Sequence, residues 1–500
     1  MRCSGFGFRT AFRTPSTEIR IPNTEPLAKI PFPTYAHPRM YQATLHFKRF
    51  LLLFGDFLML QGALALTLVL RYGRLDVQTW RMHELPFLII SLLWAVGLFV
   101  TGLYDLSRAR NTLSYFRTFL EGMFVNLLIA FAFFYLFPVF GIAPRTNLLL
   151  FFAASLLLVY CWRLLFNKFI MRGLFRTRLM YVGPADDAAA LRGLVSASTY
   201  GFELVSVVHT TPRLAHEADG MRWTDRLDAL SLLVKQDRIG AVVLGHGIEE
   251  YPALREALYG ALYTSVGIID RKGLEETLTG RVPVASVDKA WFLRNLRENE
   301  KAWFETVKRV LDIVTAIPFA LLTIAVTPVV AVLMKATSSG SVFFTQERIG
   351  KHGKPFRMVK FRTMRHPKGQ TSAETGGAQF AAANDPRVTR IGRFLRKTRI
   401  DELPQIWNVL KGDMSFVGPR PERPEFVEQL TERMPYYALR HLTRPGLTGW
   451  AQVSYTYAST LDDNLIKLQY DLYYVKHRSL VLDMAILLKT INTVLRQQGT

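Results

Sequence analysis

Val310-Leu-Asp-Ile-Val-Thr-Ala-Ile-Pro-Phe-Ala-Leu-Leu-Thr-Ile-Ala-Val-Thr-Pro-Val-Val-Ala-Val-Leu-Met334 is the stretch on which the fold turns. It is long enough to span a bilayer as a helix. Pro318 and Pro328 interrupt it, however, and basic residues stand at both ends, Lys308 and Arg309 before it and Lys335 after it. A proline inside a helix removes a hydrogen bond and bends the axis. Equal positive flanks give no preference for crossing. A helix over residues 305–335 that enters the membrane, breaks at Thr327-Pro328 and returns to the same face meets both facts. A straight span would put everything after it on the opposite side from everything before it.

Four further apolar runs lie upstream: Phe50 to Leu70, Leu85 to Leu103, Phe119 to Phe140 and Leu148 to Phe166. Each has the length and composition of a membrane helix. Asp56, Glu121 and Arg163 are the charges within them, expected near ends or against a neighbouring helix. Basic residues precede the first run, lie between the second and third, and follow the fourth. Both ends of the bundle, residues 45–170, are therefore expected on the cytoplasmic side. Residues 1–44 are polar, basic and rich in proline, and read as a disordered tail. Cys3 and Cys161 are the only cysteines, so neither a disulfide framework nor a cysteine metal site is available.

Between the bundle and the fifth run, residues 178–290 alternate short apolar strands with helical stretches. Leu179 to Gly183, Phe202 to Val208, Ala241 to Leu244 and Val266 to Ile269 are the strand candidates, which predicts a parallel α/β sheet. The first strand ends in Gly183-Pro-Ala-Asp-Asp-Ala188. That turn lacks the second and third glycines of a dinucleotide fingerprint and sets two carboxylates where a pyrophosphate would approach. A regulatory or assembly domain is the better reading, with an NAD-dependent sugar-modifying enzyme as the one it displaces.

Downstream, Ser341 to Gln346 and Phe356 to Met364 read as two strands about a turn. Lys360 and Arg362 alternate with Val359 and Phe361 and should share a face, as a diphosphate or lipid phosphate would require. A solvated edge strand would show the same pattern. After a polar loop over 368–385, arginines recur at every third position, Arg387, Arg390, Arg393, Arg396 and Arg399, with Val388, Ile391 and Leu395 on another side. This is an amphipathic helix with a basic flank for anionic headgroups. With five membrane segments and no recognition module, nucleic acid is not its partner.

Asp401-Glu402-Leu403-Pro404 then opens another helix, with Asp401 at its N-terminus. A plain N-cap would account for that placement. The helix end and the nearby arginines would also lower the Asp401 pKa and keep it an ionised nucleophile. Glu402 beside it could share a hard cation such as Mg²⁺ with it. In Pro419-Arg420-Pro421 the prolines stiffen the chain about a guanidinium suited to phosphate, though a structural turn reads the same way. The formal charge of +22, from 62 basic and 40 acidic residues, fits phosphorylated substrates and an acidic membrane surface.

Lys360-Phe-Arg-Thr-Met364, Asp385-Pro-Arg-Val-Thr-Arg-Ile-Gly392, Asp401-Glu-Leu-Pro-Gln405, Asn408-Val-Leu-Lys-Gly-Asp-Met-Ser415, Gly418-Pro-Arg-Pro-Glu422 and Arg444-Pro-Gly-Leu-Thr-Gly449 together resemble the bacterial sugar transferase family. Its members are polyprenyl-phosphate hexose-1-phosphate transferases, the monotopic phosphoglycosyl transferases, here in the long, WbaP-like architecture. The resemblance implies a membrane helical bundle, a degenerate Rossmann-like α/β domain, and an α+β catalytic domain over 303–500 with a re-entrant helix. It implies Asp401 as nucleophile, Asp401 and Glu402 as the acidic pair and Mg²⁺ ligands, and Arg420 at the substrate phosphates. Lys360, Arg362, Arg396 and Arg399 complete the candidate phosphate-binding set. Thr327-Pro328 falls where the family often has Ser-Pro, and Arg399-Ile400 where Ser-Leu is common.

The activity implied is transfer of hexose-1-phosphate from a UDP-sugar, glucose or galactose first, to undecaprenyl phosphate. That would be the first membrane step of exopolysaccharide, capsule or O-antigen synthesis. The implied location is the bacterial cytoplasmic (inner) membrane, with both soluble domains facing the cytoplasm and a homodimer left open. A catalytically inactive membrane scaffold is the alternative reading.

Overall fold

The structure is a computed structural model that describes residues 39–106, 111–137, 145–174, 176–198, 200–211, 220–245, 254, 256–259, 266–296, 298–365, 387–455 and 460–495. Most of the expected tail, the polar loop at 368–385 and the Asp385-Pro386 start of one motif lie outside the described residues.

Four helices, α1 (Arg39–Tyr72), α2 (Val77–Val100), α3 (Leu113–Leu136) and α4 (Arg145–Leu165), form the N-terminal unit. Each contains a stretch long and apolar enough to cross a membrane. α1 packs on α4 and α2 on α3, around buried Phe87, Trp94, Phe119 and Phe151. Leu58, Leu92, Phe124, Leu128 and Leu157 face outward. A continuous apolar exterior of that kind suits hydrocarbon rather than water. The two charges Asp56 and Arg163 meet inside the bundle, where Arg163 also donates to the Leu103 carbonyl (2.9 Å) and the Tyr115 hydroxyl (2.8 Å). Either one alone would be a buried, uncompensated charge; paired and hydrogen-bonded, they tie α1 to α4. Glu121 pairs one turn away with Arg117 on the exposed side.

The α/β unit runs β1 (Thr177–Gly183), α5 (Ala185–Ala197), β2 (Phe202–His209), β3 (Arg222–Thr224), α6 (Leu230–Gln236), β4 (Ala241–Leu244), β5 (Gly267–Asp270), α7 (Arg271–Thr279). Its strands are all parallel, in the order β3-β2-β1-β4-β5. Leu179 to Val182 and Val242 to Val243 are buried on both faces, as a parallel sheet covered by helices requires. The edge strand β3 has no apolar run, so nothing in hydropathy announces it.

The strand order reverses between β1 and β4, the place where doubly wound sheets bind nucleotides. Here side chains of the domain itself pair with one another, while residues 246–253 after β4 lie outside the described residues. The Tyr181 hydroxyl donates to Asp187 Oδ2 (3.4 Å), and Arg271 pairs with Asp187 Oδ1 (2.9 Å). The same hydroxyl lies so close to Gly183 and Gly245 that a Cβ on either would come within 2.6 and 2.3 Å of it. Asp186 and Asp187 occupy the first turn of α5, where an anion would be received.

The C-terminal unit begins earlier than expected. Val282, Val284, Val287 and the Trp291-Phe292 pair of α8 (Lys289–Asn295) share a core with Met434, Tyr437, Leu468 and Leu472. A boundary at residue 290 would therefore cut a packed unit. The unit continues with α9 (Ala302–Thr337), the antiparallel hairpin β6 (Phe343–Ile349) and β7 (Pro355–Phe361), α10 (Arg390–Lys397), α11 (Ile406–Lys411), β8 (Ser415–Val417), α12 (Pro424–Arg433), β9 (Gly446–Thr448), α13 (Trp450–Ser454), α14 (Leu461–His477) and α15 (Leu480–Leu495).

The expected break at Thr327-Pro328 is not confirmed, because α9 is one continuous helix with both prolines inside it. Thr323 and Thr327 bond back to the Phe319 and Thr323 carbonyls (2.7 and 2.6 Å), a pattern that bends helices. Both halves of α9 rest on the same domain. Ala316 and Ala320 pack with Phe356, Met358, Ile406 and Val409; Val330 and Met334 pack with Phe361 and Leu395. Near its start, Lys308 pairs with Asp483, and Asp312 accepts from Ser415 Oγ (3.1 Å).

The three units are locked together. Glu276 of α7, 2% exposed, accepts from Lys476 and His477 at the end of α14, both at 2.7 Å. Trp450 Nε1 donates to the Gly280 carbonyl (2.8 Å), and Lys48 of α1 donates to the Tyr200 carbonyl (2.9 Å). Removing one partner of a buried ion pair costs about 3–5 kcal/mol. Glu276→Gln should therefore lower the first thermal unfolding transition and expose residues 280–300 to limited proteolysis; unchanged cleavage would mean the clamp is incidental.

Candidate functional site

The candidate site is assembled from β7, the segment after α10, and the turn between β8 and α12. Thr389 caps α10, its hydroxyl accepting from Gly392 N (2.8 Å). Gly392 must be glycine, since a Cβ there would lie 2.1 Å from the Thr363 carbonyl oxygen. That contact seats α10 on the end of the β6–β7 hairpin. The helix is shorter than the arginine spacing predicts and stops at Lys397. Arg399 takes the left-handed conformation (φ 59°), and the chain enters a 3-10 segment, Ile400–Gln405. A non-glycine residue held there stores strain of a kind common at functional sites.

Asp401 is therefore not a helix N-cap. It lies inside the 3-10 turn, 8% exposed, and α11 starts five residues later. Its Oδ1 is buried and meets no hydrogen-bond partner among the described residues. A capping carboxylate would be bonded to backbone amides; this one is free. Glu402 beside it is the opposite. Its Oε1 receives Lys360 Nζ (3.0 Å), Arg420 Nη2 (3.2 Å) and Arg399 Nη1 (3.7 Å).

The two acids are split accordingly. Burial, then repulsion from Glu402, pushes Asp401 up to about 6, although Lys360, Arg396 and Arg399 pull the other way. The lowered Asp401 pKa expected from the helix end and the arginines does not occur. Desolvation wins, and the largest charge effect is that of a like one. Burial alone would raise Glu402 too, but Lys360, Arg420 and Arg399 outweigh it and hold it well below the usual carboxylate range.

Of the candidate phosphate-binding residues, Lys360, Arg399 and Arg420 converge on Glu402. Arg396 donates Nε to Thr363 Oγ1 (2.9 Å), close enough for its charge to reach Asp401. Arg362 is not brought to the acids. Its guanidinium donates to the Ser339 carbonyl (2.5 Å) and to Ser338 Oγ (3.1 Å), at the C-terminus of α9. The negative end of a helix attracts a cation in this way, and β7 already ends at Phe361, so alternation no longer governs the next side chain. Thr327 and Pro328 lie in the last third of α9, ten residues or so before the Ser338 and Ser339 contacts of Arg362.

Sequence reasoning missed what fixes Arg420. Arg440 Nη2 donates to the Arg420 carbonyl (2.9 Å) and to Asp471 Oδ2 (2.7 Å), while Nη1 donates to Tyr437 Oη (2.7 Å). Arg440 and Asp471 are 31 residues apart, so no local pattern joins them. Gly418 and Gly446 let the β8 and β9 backbones touch: a Cβ on Gly418 would be 2.3 Å from the Arg444 carbonyl oxygen.

No group of three or more metal-binding side chains occurs among the described residues. The acidic pair fits a hard cation that takes its remaining oxygens from substrate phosphates, through carboxylate oxygens other than Glu402 Oε1, which Lys360, Arg420 and Arg399 already engage.

The bacterial sugar transferase family model matches residues 303–497, and a CoA-binding domain model matches residues 100–261. The chain is 45% identical over 234 residues to a UDP-N-acetylgalactosamine-undecaprenyl-phosphate N-acetylgalactosaminephosphotransferase of Aeromonas hydrophila, covering 46% of this chain and 52% of that one. It is 47% identical over 139 residues to a Bacillus subtilis protein provisionally named undecaprenyl-phosphate N-acetylgalactosaminyl 1-phosphate transferase, covering 28% of this chain and 75% of that one. A UDP-glucose:undecaprenyl-phosphate glucose-1-phosphate transferase of Escherichia coli is 40% identical over 187 residues, 37% of this chain and 39% of its own. The chain thus spans about half the length of the first of these relatives. The described part of the α/β unit fits the coenzyme its model is named for poorly, since Tyr181, Asp187 and Arg271 pair at the crevice and two carboxylates stand at the anion position.

Two outcomes follow from the geometry. Titration of the purified chain with coenzyme A should give no saturable heat; micromolar binding would overturn that reading of the crevice. Burial lifts Asp401 from its ordinary value of 3.8 to about 6, so its ionised form opposes folding. At about 1.36 kcal/mol per unit this penalty approaches ~3 kcal/mol. It is absent below about pH 4 and complete above about pH 6. Asp401→Asn should raise the thermal midpoint of the C-terminal unit at pH 7.5, with the gain vanishing near pH 4; an equal gain at both pH values would contradict the assignment.

Proposed function

The chain belongs to the bacterial sugar transferase family, and from that premise we propose that it transfers a sugar-1-phosphate from a UDP-sugar to undecaprenyl phosphate. The products would be undecaprenyl-diphospho-sugar and UMP. The observation that carries this reading is the free, buried Asp401 Oδ1 beside a Glu402 that three cations already engage.

The split supports a division of roles. Asp401 is the nucleophile, having an oxygen with no competing bond and a pKa that leaves it mostly ionised at neutral pH. Its Oδ1 forms a bond to the β-phosphorus as the bond from that phosphorus to the bridging oxygen breaks. The electron pair leaves with UMP. A phosphate oxygen of undecaprenyl phosphate then attacks the same phosphorus and releases the Asp401 carboxylate. Neither step needs a proton. Glu402 acts as an anchor, keeping Lys360, Arg399 and Arg420 gathered where negative charge accumulates between two anionic reactants. Asp401 and Glu402 would hold Mg²⁺ against the donor diphosphate, where the ion would supply further charge neutralisation.

The long helix α9 bears on the membrane arrangement. Both of its ends rest on the C-terminal unit, which supports entry and return through one face, with Thr327-Pro328 as the bend. Both soluble units would then face the cytoplasm of a bacterial inner membrane, on the side where nucleotide sugars are made. The exposed Phe394 of α10, flanked by Arg393 and Lys397, fits the headgroup layer.

Purified chain in lipid nanodiscs, given UDP-glucose, UDP-galactose or UDP-N-acetylgalactosamine, should release UMP with one of them even before lipid phosphate is added. Mass spectrometry should then find a phosphosugar on Asp401. Release that strictly requires lipid would favour direct attack by the lipid instead. Asp401→Asn should reduce turnover at least a thousandfold ( order of magnitude), and the first half-reaction should rise with pH through about 6 as Asp401 ionises. In a variant lacking Cys3 and Cys161, cysteines placed at Trp303 and Ser339 should react with an impermeant thiol reagent from the same membrane face. Labelling from opposite faces would make α9 a true span.

A further inference from the structure

Arg348, near the end of β6, has no part in the chemistry described so far. Its Nη1 donates to the Pro421 carbonyl (3.1 Å) and its Nη2 to Gln346 Oε1 (2.6 Å), with the Glu422 carboxylate at 3.8 Å. Its Nε is buried and meets no partner among the described residues. Burial pushes the guanidinium down to about 10, although Glu422 pulls the other way; Arg420 and Arg423 add repulsion. A desolvated cation with an idle donor is a costly arrangement for a purely structural residue.

Arg348 lines a small depression together with Lys360, Gln405 and Arg420, closed by Met358 and Pro421. Three cations line it, each with a carboxylate nearby: Glu422 at 3.8 Å from Arg348, and Glu402 Oε1 on Lys360 and Arg420. Lys360 and Arg420 belong both to this depression and to the acidic pair's surroundings, since both also touch Glu402 Oε1. The depression thus adjoins the acidic pair and presents two of the cations that Glu402 gathers. In-line displacement requires the leaving oxygen to depart away from the attacking one.

We propose that Arg348, with Lys360, Arg420 and Gln405, holds the phosphate of the departing nucleoside monophosphate. The assignment rests on the transferase reading above. As the bond to the bridging oxygen breaks, its electron pair passes to that phosphate, and the Arg348 guanidinium faces the charge that develops. The same chemistry would suit the phosphate of the lipid acceptor once the nucleotide has gone, and the test separates the two.

The full chain in nanodiscs is assayed for donor KM, acceptor KM and inhibition by UMP, with UMP binding also measured at equilibrium without turnover. Arg348→Gln should raise the donor KM and weaken UMP about tenfold, the loss of one charge-assisted contact. The acceptor KM should not change. Arg348→Lys, which keeps the charge but not the fork, should fall between, and it carries the comparison if the glutamine variant does not fold. A raised acceptor KM with unchanged UMP affinity would assign the site to lipid phosphate and overturn the proposal, as would three unchanged constants. A chain that bound UMP through Arg348 yet transferred no sugar phosphate would sink the transferase reading alone.

Discussion

One carboxylate oxygen, Glu402 Oε1, gathers Lys360 from β7, Arg399 from the end of α10 and Arg420 from the turn after β8. Without it, three cations from three elements would repel one another in a partly desolvated pocket. With it, they stand together on one side of Asp401, and Asp401 is left unpaired. The neighbouring acids are chemically similar, yet one is consumed by structure so that the other stays available. The environment divides them, as like carboxylates side by side generally must be divided.

That pocket can exist only because long-range contacts hold its parts. Arg440, bonded to Asp471 and to the Arg420 carbonyl, fixes the backbone from which the Arg420 guanidinium reaches Glu402. Arg362 ties the end of β7 to the end of α9, which places the long apolar helix directly beneath the site. A residue expected to bind substrate thus positions the membrane element instead. The same helix exposes the apolar side chains of Val310, Val314, Ile317, Leu321 and Ile324.

How much of this could be read from the sequence follows from range. The four-helix unit was legible because each apolar run is long and continuous. The acidic pair, Lys360 and Arg420 were legible because each sits in a compact motif. Strand β3 was not, being three residues at a sheet edge with no hydropathy signal. The Asp401 pKa was misread in sign: sequence shows the nearby arginines but neither the burial nor the fact that Glu402, not Asp401, receives them. Arg348 and Arg440 escaped because their partners lie far along the chain, and a cation in a strand or turn reads as a solvated one.

The α/β unit shows the same division between pattern and content. Its strand order is that of a nucleotide-binding sheet, but Tyr181, Asp187 and Arg271 pair at the crevice where a nucleotide would enter. A sheet of this kind, relieved of a ligand, is still a rigid body with a defined surface. Glu276 on that surface receives Lys476 and His477 at the C-terminus of α14, where cations already complement the helix dipole. Asp471, which orients Arg440, lies on the same helix. Meanwhile Lys48 joins the sheet to the first membrane helix through Tyr200. The unit therefore braces α14 against the bundle. Because the Leu468 and Leu472 core and the Arg478 pairing with Glu298 hold α14 independently, the brace bears on the orientation of the whole C-terminal unit over the membrane more than on the geometry inside the site.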